Sequence, residues 1–542
     1  MKKKRQKDEV KVSQFTSSSS ENNSMSVSAS VTPKFQTSDL SLSGGALSVS
    51  QKENVSNFSI SGTDEKGSSA LVLSANVGNV SVVPEKQQTG KSSPSQENDP
   101  QSKRLARYRE PHLNIGPEIG PDASCNLQCH VEFETVPLLT APDGIRFDFA
   151  YGYRILIPSN AVCNYDVRIF DMNSGLLLDR FNLKPGDLLV GDRKYFIPYR
   201  LEIYKEGKPF FYHNYDCTGR RVYILVPDGG LGDNLAWVPM AEEFAKKYHA
   251  DVCCVCGEWM SKLVGDLYPG LNFTPLINRP KLTEAYANYF PGIFDENMKN
   301  WRPVDHQFLG MQGAAESILG LPLKPVKCKL HTGSKRPFPE RFVCISTMGT
   351  NPGKCWNFPD GWNIIIRKLK QCGYRVLDID RDAQVMYGKT LSRIPSEAED
   401  FTGRLSIQDR IYLLEHAEFF IGLPSGLSWL AWNVNIPVVM ISGFTMPGAE
   451  FPTPYRVTNF LYCHGCWNDS SCFFDREVAV WCPKHSGTPR EIECTKQISP
   501  KMVWETICKI PCVQEQLERL DNPSANAVLD ESVSRGEADN GK

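Results

Sequence analysis

Arg221-Val222-Tyr223-Ile224-Leu225-Val226, followed by Pro227-Asp228-Gly229-Gly230-Leu231-Gly232-Asp233-Asn234, is the stretch on which the fold turns. A short, continuously apolar and β-branched run predicts a strand buried on both faces of a parallel sheet. The glycine-rich turn behind it leads into a helical stretch from about 235 to 248. Asp251-Val252-Cys253-Cys254-Val255-Cys256 then reads as the next buried strand, its cysteines acting as small core residues. Strand, turn, helix and strand in this order start a Rossmann-like α/β domain, assigned to residues 221–335.

The same grammar recurs downstream. Phe342-Val343-Cys344-Ile345-Ser346 is an apolar strand, residues 361–372 a helix, and Arg375-Val376-Leu377-Asp378-Ile379 a second strand. Ser406 begins another helix, with Asp409 three residues on, as in a capping box. Phe419-Phe420-Ile421-Gly422 and Pro437-Val438-Val439-Met440-Ile441 are further strands, with a helix from Leu427 to Asn433 between them. A second Rossmann-like domain therefore covers 336–450. Two such domains in tandem place a cleft between the carboxyl ends of their strands, where ligands tend to bind.

Upstream, residues 105–220 carry short alternating runs such as Asp166-Val167-Arg168-Ile169-Phe170, separated by turn signals. This predicts an antiparallel β domain with hairpins at 173–175 and 206–208. Cys125 and Cys129, with His130, form a lone pair that is more readily incidental than a metal half-site. Residues 1–104 are rich in Ser, Asn, Thr, Gln and Lys, with few aromatics, and are expected to be a disordered tail. Residues 451–498 form a cysteine-rich insertion, 499–520 a terminal helix and 521–542 a polar tail without structure.

The whole-chain numbers mostly exclude. With 542 residues, 41% hydrophobic and 23% charged, the chain has the composition of a soluble enzyme of about three or four domains. A formal charge of −2 provides no field for nucleic acid or for a membrane surface. The basic start Met1-Lys2-Lys3-Lys4-Arg5 is not followed by an apolar signal region, and no run approaches the ~18 apolar residues of a membrane span. A cytosolic location is expected.

Three loops carry candidate chemistry. In the first, Gly229, Gly230 and Gly232 let backbone approach a ligand, and amides at a helix start favour an anion. Neither a dinucleotide fingerprint nor a P-loop is present. Asp233 is either a general base facing the cleft or a helix cap, and spacing alone leaves the two balanced. The second loop, Thr347-Met348-Gly349-Thr350-Asn351-Pro352-Gly353-Lys354, offers one cation among small residues, fit to neutralise a departing diphosphate. A solvated lysine is the plainer alternative. The third, Pro424-Ser425-Gly426-Leu427-Ser428-Trp429, opens a helix and can hold phosphate oxygens, or serve only as a cap. Ser425 lacks the Gly-x-Ser-x-Gly elbow of a hydrolase nucleophile.

Of 18 cysteines none precedes Cys125, and five fall between Cys463 and Cys494. Without a signal sequence, Cys463-His464-Gly465-Cys466 followed by further thiols points to metal. The set chosen is Cys463, Cys466, Cys482 and Cys494, with Cys472 as the spare. Four thiolates suit zinc or a single iron and leave no open position, so the site is structural.

Taken together, Lys354-Cys355-Trp356-Asn357-Phe358-Pro359 with Trp362, and the segment from Pro424 to Trp432 before Pro437-Val438-Val439, resemble the donor-binding half of ADP-heptose-dependent heptosyltransferases. Gly230-Leu231-Gly232-Asp233-Asn234 is similar to the Gly-Asp loop of their first half. The preceding β domain and the cysteine finger bring the chain closer to the bacterial autotransporter heptosyltransferases, over roughly residues 110–510. That resemblance implies a GT-B architecture, with heptose moved from ADP-heptose to serine, or alternatively threonine, of an autotransporter adhesin passenger in the bacterial cytoplasm. It implies Asp233 as catalytic base and Lys354 as the lysine on the donor. The donor-binding set becomes Gly230, Gly232, Thr347, Gly349, Lys354, Ser425, Gly426 and Leu427. It further implies one iron per subunit on the four cysteines, with zinc as the alternative, and a large homo-oligomer, a dodecamer. The competing readings are transfer to a lipopolysaccharide core and a non-catalytic, metal-organised assembly module.

Overall fold

The computed structural model describes residues 131–521 apart from 228, 278–279, 293–299, 389, 404, 473 and 476–477, together with four strands between residues 47 and 85. The chain forms two compact units, 1–98 and 99–542.

In the first unit β1 (Leu47–Gln51), β2 (Phe58–Thr63), β3 (Ala70–Asn76) and β4 (Asn79–Glu85) make an antiparallel meander in chain order. The expected disorder of 1–104 is therefore wrong over these strands. Composition counts serine as a solvating residue, but here serine alternates with Val, Ile and Leu at the period of a strand. The register sets Ser50, Ser59, Ser74 and Ser81 opposite one another across all four strands, beside a row of Val49, Ile60, Leu73 and Val82. The Cys125, Cys129 and His130 reading, the start of the β domain and residues 522–542 lie outside the described residues.

The second unit opens with the expected β domain. β5 (Glu132–Phe133) is followed by β6 (Leu139–Thr140), β7 (Arg146–Asp148), β8 (Arg154–Leu156), β9 (Tyr165–Asp171), β10 (Leu177–Leu183), β11 (Leu188–Val190), β12 (Tyr199–Lys205) and β13 (Lys208–Asn214). They form two antiparallel sheets, β11-β8-β7-β6 and β10-β9-β12-β13. Alternation decides which side faces in: Tyr165, Val167 and Ile169 of β9, and Tyr199, Leu201 and Ile203 of β12, are all buried. Both predicted hairpins form, between β9 and β10 and between β12 and β13.

β14 (Arg221–Leu225), β15 (Asp251–Cys256), β16 (Asn272–Pro275) and β18 (Ala287–Tyr289) make a parallel sheet of order β16-β15-β14-β18. The two-residue β17 (Lys281–Leu282) pairs instead with β5. α1 (Leu231–Tyr248), α2 (Glu258–Val264) and α3 (His306–Leu319) accompany this sheet. Cys253, Cys254 and Cys256 are buried, as expected of core residues. The β domain is not detached from this sheet. Phe149, just beyond β7, bridges Ala287 of β18, and its amide donates to the Tyr286 carbonyl at 2.8 Å. One hydrophobic core runs from the β domain through both α/β sheets.

The second sheet has six parallel strands: β19 (Phe342–Ile345), β20 (Arg375–Asp378), β23 (Glu399–Asp400), β24 (Phe420–Gly422), β25 (Val438–Ile441) and β26 (Arg456–Val457). Its order, β23-β20-β19-β24-β25-β26, is the 3-2-1-4-5-6 order of dinucleotide-binding domains. A small hairpin, β21 (Gln384–Tyr387) and β22 (Thr390–Arg393), stands apart. α4 (Gly361–Gln371), α5 (Ile407–Leu414) and α6 (Gly426–Asn433) are the helices of this domain. Ser406 caps α5 and shares a capping box with Asp409, as predicted. After α7 (Glu493–Lys496), the single terminal helix expected over 499–520 is two, α8 (Pro500–Ile507) and α9 (Pro511–Asp521). Pro511 cannot donate to a continuing helix and starts a new one. Val503, Ile507, Ile510 and Val513 complete a second core against α4 and the sheet.

Candidate functional site

In both sheets the strand order reverses beside the first strand, between β14 and β18 and between β19 and β24. A crevice opens at such a switch point. The loops that border it are 226–230 in the first domain, and 346–354 and 423–426 in the second. All three candidate loops of the sequence are thus at the carboxyl ends of the strands that make the two crevices.

The first loop leaves β14 and turns directly into α1. Asp233 is at the third helical position, and its Oδ2 accepts the Gly230 amide at 3.0 Å. The N-cap is Gly230, not Asp233, and the plainer reading holds only in that Asp233 bonds back to the N-cap amide from the third position. A carboxylate has about four lone-pair directions, so accepting one amide does not exhaust it as a proton acceptor, and the residue is only half-buried. Asn234, passed over in the sequence, is wholly buried. Its amide donates to the Pro227 and Gly230 carbonyls, both at 3.3 Å, and clamps the loop from below.

Across the cleft, the start of α1 meets the start of α6 at two glycines. A Cβ on Gly232 would lie 3.0 Å from Trp429 Cδ1 and 3.3 Å from the Gly426 Cα. One on Gly426 would lie 2.8 Å from Leu231 Cβ and 3.0 Å from the Gly232 nitrogen. The two helix N-termini, each with unsatisfied amides and the positive end of a helix dipole, abut at backbone distance. Ser425 is the N-cap of α6, yet its side chain makes no capping bond, and its Oγ is buried without a partner among the described residues. A buried hydroxyl left so is costly unless a ligand completes it. Gly426 and Leu427, half-buried, follow it.

The second loop is held from behind by a carboxylate that the sequence reading did not single out. Asp380 Oδ2 accepts the amides of Thr347 at 2.7 Å and Met348 at 3.0 Å, while Oδ1 accepts the Ser346 hydroxyl at 2.6 Å. Thr347 Oγ1 also donates to Asp378 at 3.0 Å. Burial raises both carboxyl pKa values, and the repulsion between the two carboxylates adds to the rise at Asp378. Thr347 is therefore committed to shaping the loop. Gly349 follows it, its carbonyl accepting the Tyr387 hydroxyl of the β21–β22 hairpin. Lys354 ends a tight turn that Asn351 caps, its side chain accepting the Gly353 amide at 2.9 Å. Lys354 is not a free surface lysine. Its Nζ is 5.6 Å from the Phe444 ring centroid and 6.0 Å from that of Trp467.

Trp467 belongs to the cysteine insertion. Cys463, Cys466, Cys482 and Cys494, the four selected from sequence, line one cavity of about 20 Å³ together with His485 and Glu493. That is about the space of one water-sized body. Gly465, at φ +68°, supplies the left-handed turn that brings Cys466 back toward Cys463. The Ile492 amide donates to Cys482 Sγ at 3.3 Å. Cys472 instead packs with Phe444, Cys466 and Trp481 in an aromatic cluster. Burial raises the thiol pKa values of Cys463, Cys466 and Cys494, the last to about 12, so a cation entering here must displace protons. A tighter triple, Cys463, His485 and Glu493, has its ligand atoms within 4.8 Å of one another. Glu493, however, already pairs with Arg490 and accepts the Cys463 amide. The four thiols line the same cavity without forming a group of that spacing among the described residues, yet as a ligand type they suit a soft metal better.

The structure thus brings Gly232, between Gly230 and Asp233 on the first loop, against Gly426, between Ser425 and Leu427, and sets Thr347, Gly349 and Lys354 on one braced loop. Asn234, Asp380, Tyr387, Phe444 and Trp467 were missed. The Asn after Asp233 is the one local signal; the others act over separations that no motif spans.

A family model described as glycosyltransferase TibC, N-terminal domain, matches residues 141–207, and one described as glycosyltransferase family 9 (heptosyltransferase) matches residues 296–472. The chain is 39% identical over 378 residues to the autotransporter heptosyltransferase BAHTCr of Citrobacter rodentium, covering 69% of this chain and 91% of that relative. It is similar to the crystal structure of the iron-containing dodecameric glycosyltransferase TibC from enterotoxigenic E. coli, with a TM-score of 0.66 and 39% identity over 69% of this chain and 97% of that one. A structure of TibC in complex with ADP-D-beta-D-heptose matches with the same TM-score and coverage at 38% identity.

Proposed function

The chain belongs to the autotransporter heptosyltransferases, glycosyltransferases of GT-B architecture, and on that premise we propose that it transfers heptose from ADP-heptose to serine, and in places threonine, hydroxyls of an autotransporter adhesin passenger. The observation that carries the reading is the meeting of the Asp233 loop with the Ser425–Leu427 helix start at Gly232 and Gly426. A carboxylate on the one loop and phosphate-type donors at the other helix start support transfer between them.

Asp233 takes the acceptor hydroxyl proton as the serine oxygen attacks the anomeric carbon in line. The bond from that carbon to the β-phosphate oxygen breaks, and ADP leaves with the electron pair. Lys354 and the amides at Ser425, Gly426 and Leu427 stabilise the charge that develops on the departing diphosphate. Gly230, Gly232 and Gly349 allow the backbone close to the donor, Thr347 shapes the donor loop from its bonds to Asp378 and Asp380, and Ser425 Oγ gains its missing partner from a phosphate oxygen.

Cys463, Cys466, Cys482 and Cys494 hold one iron per subunit, with zinc as the alternative. A closed four-sulfur set supplies a cross-link and not a reaction centre. By analogy with the dodecameric TibC, the subunits assemble as a dodecamer, and the reaction is assigned to the bacterial cytoplasm. The exposed Phe460, Leu461 and Tyr462 beside the cysteine knuckle suit a subunit contact.

Intact-mass analysis of an autotransporter passenger co-expressed with the enzyme tests the reading. Additions in multiples of one heptose are expected. An unmodified passenger, with heptose found on lipopolysaccharide core, would redirect the acceptor assignment to lipid.

A further inference from the structure

Resting on the assignment of Lys354 to the donor diphosphate, we propose that Trp467 is a positioning residue for Lys354, through which the cysteine finger sets the affinity for the ADP moiety. The Lys354 ammonium stands over a ledge of two rings. Its Nζ is 5.6 Å from the centroid of Phe444 and 6.0 Å from that of Trp467, and the rings themselves are 5.8 Å apart and tilted by 32°. The negative face of an aromatic ring attracts an ammonium at such distances. A lysine stem has many rotamers, and a contact that helps to order it before the donor arrives removes part of that cost from binding.

The ledge is itself fixed from two sides. Cys466, adjacent to Trp467 in the chain, is buried in the same cluster as Phe444 and Trp481, and the Trp467 amide donates to the Phe444 carbonyl at 3.2 Å. The rings of Phe474 and His306 pack edge-on against the indole, at 5.2 and 6.0 Å. The Trp467 carbonyl accepts Gln307 Nε2 at 3.0 Å, and Asn468 returns a bond to the Gln307 carbonyl at 2.7 Å. Gln307 is in the first turn of α3, in the first Rossmann-like domain. One residue thus carries a contact to the donor lysine on its ring and a tie to the opposite domain on its backbone.

The test is a double-mutant cycle read by calorimetric titration of ADP into the full-length, metal-loaded protein. Trp467→Leu is expected to weaken ADP roughly three- to ten-fold, with Trp467→Phe recovering most of the loss. In a Lys354→Met background, Trp467→Leu should change ADP affinity no further. Metal content and melting temperature show whether each variant is folded. If Trp467→Leu is unstable, Trp467→Met, which keeps bulk but not the ring face, replaces it. Equal losses with and without Lys354 would overturn the inference, since they would make Trp467 structural only. A wild-type protein that does not bind ADP would instead overturn the donor assignment beneath it.

Discussion

Replacing Asp233 by asparagine separates the bond it makes at the helix start from the role of base proposed for it. The amide oxygen of asparagine can still accept the Gly230 N–H that Asp233 Oδ2 accepts at 3.0 Å. What is lost in stability is the favourable charge at the start of α1, about 0.3–1 kcal/mol. In a folded body of this size that lowers the melting temperature by roughly 2 °C or less. What is lost in catalysis is the proton acceptor, worth about 10²- to 10⁴-fold in rate, or ~3–5 kcal/mol on the barrier. Asp233→Ala gives the same turnover as Asp233→Asn but loses the bond to the Gly230 amide as well, a further ~0.5–1.5 kcal/mol. The assay is the initial rate of heptose addition to a passenger substrate by mass spectrometry at saturating donor, with ADP affinity by calorimetry and melting by scanning calorimetry. Turnover should collapse equally in both variants while ADP affinity stays within about two- to three-fold of wild type, and only the alanine variant should melt clearly earlier. Asp233→Asn retaining more than about a tenth of wild-type turnover would refute the base assignment and leave Asp233 only its bond to the Gly230 amide.

Three further outcomes are expected. Gly426→Ala places a Cβ 2.8 Å from Leu231 Cβ and should cost about 1–3 kcal/mol by chemical denaturation; a silent substitution would mean that the two helix starts do not touch. Cys466→Ser should lose the bound metal while Cys472→Ser keeps it, by elemental analysis of purified protein; loss in both would bring Cys472 into the ligand set. Glu316, 2% exposed and accepting the Lys324 amide at 2.9 Å, has its pKa pushed up by burial from 4.5 to about 7. A raised folded-state pKa gives stability that is full below 4.5 and lost as pH climbs through about 7. The melting temperature of Glu316→Gln relative to wild type should therefore rise across that window, and a flat difference would contradict the shift.

Much of the α/β core was legible because its strands are buried on both faces and so appear as uninterrupted apolar runs; β14, β15, β19 and β25 all fall where those runs do. The β domain was legible for the opposite reason, its strands alternating at period two. Serine defeated the reading of residues 47–85, where composition spoke louder than alternation, and Pro511 divides a helix whose amphipathic pattern runs on through it. At the site, loops 227–234, 347–354 and 424–429 were visible as glycine-rich punctuation. Asp380 was not, because a carboxylate just past a strand has no pattern until the chain folds it under Thr347. Trp467 was invisible for the same reason, lying more than a hundred residues from the lysine it touches.

The bridge from Phe149 to Ala287 has a consequence for how the chain can be cut. A parallel sheet has two margins with unpaired amides and carbonyls, and an open margin recruits strands from other molecules. β18 is such a margin, and the segment after β7 seals it. A fragment beginning at Arg221 would keep every residue assigned to the chemistry, yet present a bare strand margin and the apolar surface that Phe149, Tyr199 and Tyr215 now cover. The boundary that is so clear in the texture of the sequence is therefore no place to divide the protein.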